Sequence, residues 1–131
     1  MKKLNKLGIL LLWICLIAGF TFAKKASGTA SIKFTETVWD FGTIKKDKPA
    51  SHDFEYTNVG TGNLIITDAS AQCGCTRPEY SDKPVAPGKK GKVKVTYNPV
   101  GRPGSFEKTV TVKTNGNPKK ARVKIRGTVA P

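Results

Sequence analysis

The chain has 131 residues, with 23 Lys or Arg against 9 Asp or Glu and a formal net charge of +14. That length predicts one domain with a single core, and three cysteines are too few for a disulfide-built mini-scaffold. The fold must therefore rest on apolar burial.

Met1 to Lys6 is basic, Leu7 to Gly19 is apolar, and Thr21-Phe22-Ala23 precedes a polar stretch. That order predicts a secretory signal peptide over residues 1–23, cleaved near Ala23, and hence a periplasmic or secreted protein. The competing reading is a retained anchor, because the apolar segment approaches the roughly 17 residues that can span a bilayer. Cys15 is not a lipid-attachment site, since the bulky Trp13 and Ile14 precede it. Residues 24–31 are small, polar and basic and read as a flexible lead, so the folded domain is expected over 32–131. The mature chain keeps a net charge of about +11, which favours anionic partners. Export argues against nucleic acid, so the expected partner is an envelope protein or an anionic polymer. Membrane contact is expected only through an uncleaved N-terminal segment.

From Ile32 onward the apolar residues alternate with polar ones, the period of half-buried strands. Ile32 and Phe34 open a first strand that breaks and resumes through Val38, Trp39, Phe41 and Ile44. His52, Phe54 and Tyr56 share one face of the next strand, and Asn58 to Asn63 supplies turn chemistry. Leu64 to Thr67 is rich in β-branched residues and leads into Gln72-Cys73-Gly74-Cys75-Thr76-Arg77-Pro78. Arg77 to Lys90 carries three prolines and reads as a connection. Val93, Val95 and Tyr97 form another inward set, as do Phe106, Val110 and Val112. Asn115-Gly116 predicts a hairpin, whose second strand buries Ala121, Val123, Ile125 and Val129. About seven short strands without a helical period predict an all-β sandwich.

Trp39-Asp40-Phe41-Gly42, Asn58-Val59-Gly60, Cys73-Gly74-Cys75-Thr76 and Pro87-Gly88, in that order, carry a resemblance. The chain resembles an uncharacterised family of exported bacterial immunoglobulin-like domains, similar to sandwiches of the Hydin and major-sperm-protein type. The resemblance spans Phe34 to Val129. It implies an immunoglobulin-like β-sandwich of seven to eight strands acting as an interaction module, and it supplies no activity. Asp40-Phe41-Gly42 is no kinase motif, because the chain has neither a phosphate loop nor a His-Arg-Asp loop.

Cys73 and Cys75 are where chemistry is expected. Residues i and i+2 of a flat strand stand too far apart to bridge, so a Cys73–Cys75 disulfide needs a bend that Gly74 permits. The small ring would make that bridge readily reducible. Two thiolates with His52, the only histidine, would alternatively suit a soft ion, with copper the cofactor favoured over zinc. A thiol redox role is a third reading, helped by Arg77, and passive packing of the cysteines a fourth. Asp40, Asp53, Glu55 and Asp68 are scattered, and Ser51-His52-Asp53 alternates between faces, so neither set supports catalysis. No enzyme is expected. Lys113, Lys119, Lys120, Arg122, Lys124 and Arg126 gather around the last hairpin and are the candidate face for an anionic partner, with a solvated, edge-protecting face as the competing reading. Trp39 and Phe41 are expected in the core.

Overall fold

A computed structural model describes residues 28–131, so the expected signal peptide, Cys15 and the first half of the lead lie outside the described residues. The alternating segments become eight strands: β1 (Ile32–Phe34), β2 (Val38–Ile44), β3 (Ala50–Asn58), β4 (Ile66–Ala71), β5 (Thr76–Tyr80), β6 (Lys90–Tyr97), β7 (Gly104–Thr114) and β8 (Lys120–Val129). They form two four-stranded sheets, β1-β3-β6-β5 and β2-β8-β7-β4. The protein is an immunoglobulin-like β-sandwich.

Each sheet presents one apolar face because side chains alternate along a strand. Phe54, Tyr56, Val93, Val95 and Tyr97 face Val110, Val112, Val123 and Ile125, all at most 2% exposed. Tyr97 of β6 stacks on Phe106 of β7, with ring centroids 3.8 Å apart and planes 8° from parallel. The outer face of the first sheet carries a charge ladder instead. Lys90 reaches Glu55 at 3.3 Å and Lys92 reaches Asp53 at 3.8 Å, and these exposed pairs keep the face soluble and contribute little to stability.

Two expectations change. The first strand does not simply resume after its break: β1 pairs with β3 in one sheet, while β2 runs parallel to β8 in the other. The chain crosses between sheets at residues 35–37, a path that lets β2 cover the second sheet's edge. The Arg77 to Lys90 connection also begins as a strand, β5, which pairs on one side only with β6. Pro78 is tolerated there because an edge strand leaves one row of amides unpaired in any case.

The two ends of the sandwich differ. Thr29–Ser31, the end of the stretch expected to be a flexible lead, is bonded into one end: Thr61 N–H donates to Thr29 O, Asn117 N–H to Ala30 O and Val59 N–H to Ser31 O. Ala30 is buried there. The opposite end gathers the β2–β3 turn, the cysteine loop, the β6–β7 loop and the end of β8.

Burial pushes the Tyr56 phenol above its ordinary value of about 10. The unfolded chain then ionises before the folded one, so this residue costs no stability below pH 10 and removes it as pH rises beyond that value. The urea midpoint of the native protein is expected to fall above about pH 10 more steeply than that of Tyr56→Phe. Parallel curves would show that Tyr56 is not the group responsible.

Candidate functional site

Cys73 and Cys75 lie where the chain leaves β4 in one sheet and enters β5 in the other. The structure brings the two sulfurs into bonding contact across Gly74, with Cα atoms 5.3 Å apart, inside the usual span of a bridge. The bend is held from both sides. Thr76 N–H donates to Cys73 O at 3.2 Å, and Asn98 N–H, just past β6, donates to Cys75 O at 2.8 Å.

The pair is asymmetric. Cys75 is 3% exposed and belongs to the core cluster with Tyr97 and Phe106, whereas Cys73 is half-buried and Gly74 exposed. Cys75 Sγ lies 3.6 Å from Thr76 Oγ1. A depression of about 260 Å³ opens beside Cys75, lined by Pro49, Arg77, Glu79, Thr96 and Asn98. Lys108 was missed by sequence reasoning. It stands on β7 two residues past the last β4–β7 pair, Ala71↔Val110, and is half-buried with no carboxylate at ion-pairing distance among the described residues.

His52 is not part of this site. Its ring stacks on Trp39 with centroids 3.9 Å apart and planes 4° from parallel, and Nε2 pairs with Glu36. Among the described residues no group of three His, Cys, Asp or Glu side chains is gathered to hold a metal ion, so the three-ligand set of Cys73, Cys75 and His52 is not assembled. The physical reason is placement: His52 sits on β3, across β6 from β5 and the cysteine loop, with its ring held against Trp39 of β2 and Glu36. Trp39 is accordingly no core residue. It remains 36% exposed as the outer plate of this stack.

The six basic residues of the last hairpin divide. Lys124 pairs with Glu107 at 3.0 Å and Arg126 with Asp40 at 3.3 Å, so the middle of the outer face is charge-compensated. Lys113 and Lys120 stand directly opposite each other on β7 and β8, with Lys119 beside them at the N-terminal-lead end. Arg122 borders a shallow polar hollow with Gln72, Thr109 and Thr111. Of these six, Lys113, Lys119, Lys120 and Arg122 are without an acidic partner among the described residues.

A second surface shares the cysteine end. Lys46, Asp47, Pro99, Val100, Arg102, Pro103, Ala130 and Pro131 enclose an apolar hollow of about 560 Å³, and Val100 is 56% exposed. The β6–β7 loop that forms its wall is fixed by its own bonds: Val100 N–H to Asn98 Oδ1, Arg102 N–H to Pro99 O and Arg102 Nη1 to Val100 O. The other wall is fixed by Ala130 N–H donating to Ile44 O.

Two packed four-stranded sheets define an immunoglobulin-like β-sandwich. Residues 32–129 match the family described as "Protein of unknown function (DUF1573)", and the chain belongs to that family. No curated protein matches it. Among solved structures, a protein of unknown function from Porphyromonas gingivalis W83 is similar at TM-score 0.68 and 17% identity, over 81% of this chain and 50% of that one. The chain thus spans half the length of that relative. The ASH/PapD-like domain 7 of human CEP192 is similar at TM-score 0.61 and 16% identity, over 84% and 91% of the two chains. The Vibrio cholerae VesB protease contains a similar fold at TM-score 0.57 and 15% identity, over 79% of this chain and 32% of that one. At these identities the likeness is one of fold.

Proposed function

We propose that this protein is an exported, non-catalytic binding module of the cell envelope that engages a protein partner with its cysteine-loop end. The observation that carries the reading is the apolar hollow around Val100 at that end, beside the cysteine loop and opposite the end where Thr29–Ser31 is tied in. Parts of both outer sheet faces carry paired charges, Lys90–Glu55 and Lys92–Asp53 on one and Lys124–Glu107 and Arg126–Asp40 on the other, which favour water over a partner. A loop already held by its own hydrogen bonds loses little freedom on binding, which favours affinity. Export rests on the basic, apolar and small-residue order of residues 1–23.

The hollow has Lys46 and Arg102 against a single Asp47 at its rim, on a strongly basic chain. The partner it fits is a protein segment with an apolar residue flanked by carboxylates. A photo-reactive residue placed at position 100 in cells is expected to give a discrete adduct, and one at Lys94 on the first sheet's outer face none. Arg102→Glu should lower the yield at position 100 by about tenfold. The same adducts from both positions, or none from position 100, would overturn the reading.

A further inference from the structure

We propose that the Cys73–Cys75 pair is a thiol–disulfide exchange site with a fixed polarity, attacked at Cys73 and releasing Cys75, whose substrates are accessible thiols. This goes beyond partner docking and does not depend on it, since the hollow around Val100 and the bridge are separate groups of residues.

Exchange requires the attacking sulfur to approach along the line of the S–S bond. That line is open on one side only. Cys75 is sealed at 3% exposure in the core cluster, whereas Cys73 is half-buried in a loop whose apex, Gly74, has open space where a side chain would stand. A thiolate therefore reaches Cys73 Sγ, with Cys75 Sγ as the leaving atom. Leaving is assisted at that atom: Thr76 Oγ1 is 3.6 Å away and its hydroxyl proton can turn toward developing negative charge. Arg77 lines the same depression as Cys75, and its charge favours a thiolate there.

The step balances with a thiolate as co-reactant. A new S–S bond forms between the incoming sulfur and Cys73, the Cys73–Cys75 bond breaks, and its electron pair passes to Cys75 as thiolate. When the substrate is a dithiol, its second thiolate attacks the mixed disulfide at its own first sulfur. The substrate leaves as a disulfide, oxidised by two electrons, and Cys73 and Cys75 remain as the reduced pair. The bonds from Thr76 N–H and Asn98 N–H use backbone atoms only, so they hold the loop in shape after the bridge opens.

The test treats the purified, oxidised full-length chain with reduced glutathione at neutral pH, followed by acid quenching and peptide mapping. Glutathione is expected on Cys73 at least about tenfold more often than on Cys75. In single variants, peptide mapping should show iodoacetamide reacting with Cys73 of Cys75→Ser about tenfold faster than with Cys75 of Cys73→Ser. Thr76→Val should slow glutathione exchange about tenfold while leaving the thermal midpoint within a few degrees of the parent. Equal adducts on the two cysteines would overturn the polarity. A native bridge that resists glutathione and reacts only after denaturation would overturn the exchange site and leave a structural pin.

Discussion

Asn58→Ala is expected to remove about 3 to 4 kcal/mol of stability, a large share of what a domain of this size holds. Asn58 is fully buried at the end of β3. Its Oδ1 accepts from Ser31 N–H at 3.2 Å and Gly60 N–H at 3.0 Å, and its Nδ2 donates to Gly62 O at 2.7 Å and Val85 O at 2.9 Å. One side chain thus ties together the entry of the chain, the β3–β4 turn and the loop before β6. Alanine takes this partner from Ser31 N–H, Gly60 N–H and Gly62 O at the place of a fully buried side chain, while Val85 O keeps Leu64 N–H, and the loss costs more than such bonds contribute in exposed settings. Asn115 is the natural control. It makes similar bonds to Ile65 N–H and Asn63 O at 2.8 and 3.0 Å but is exposed, so Asn115→Ala should cost about 1 kcal/mol. Urea unfolding of both variants decides the matter, and equal losses would show that burial of Asn58 is not what gives the network its value.

The glycines around Asn58 belong to the same arrangement. A Cβ on Gly116 would come within 2.7 Å of the Ala30 carbonyl carbon, so the last hairpin closes over the chain entry only because that position carries none. In the sequence, Asn58-Val59-Gly60 and Asn115-Gly116 were legible as turns. That one asparagine is a buried hub and the other a surface bond was not, because the difference lies in what packs over each of them.

The same division runs through the whole chain. Period-two alternation identified the inward residues of β3, β6, β7 and β8, because a one-residue slip would have turned each set to water. It equally well placed Arg122, Lys124 and Arg126 on a common outer face. It could not supply Glu107 and Asp40, which reach Lys124 and Arg126 from neighbouring strands and compensate two of the three. Nor could it find Glu36, His52 and Trp39 as one stack, since β2 and β3 belong to different sheets. At the cysteines, Gly74 made proximity of the two sulfurs legible. Their unequal burial was hidden, because the lid over Cys75 is the core cluster, whose members Tyr97 and Phe106 lie far along the chain.

That lid gives the second large expected effect. Tyr97 is 2% exposed, stacks on Phe106, and pairs across β6 with both Ala50 and Thr76, the residue that follows Cys75. Tyr97→Ala should cost about 3 to 5 kcal/mol, the usual loss when a large aromatic leaves a cavity in a packed core. Tyr97→Phe keeps the ring and should cost less than about 1.5 kcal/mol. The two variants separate stability from chemistry. With the aromatic ring gone, the seal on Cys75 loosens, so glutathione should distribute more evenly between the two cysteines under conditions where the variant is still folded. With phenylalanine at 97, the preference for Cys73 should persist. A Tyr97→Ala protein that is measurably destabilised yet keeps the full preference would show that the polarity resides in the loop itself, in Thr76 and the bend at Gly74, and not in the packing beneath it.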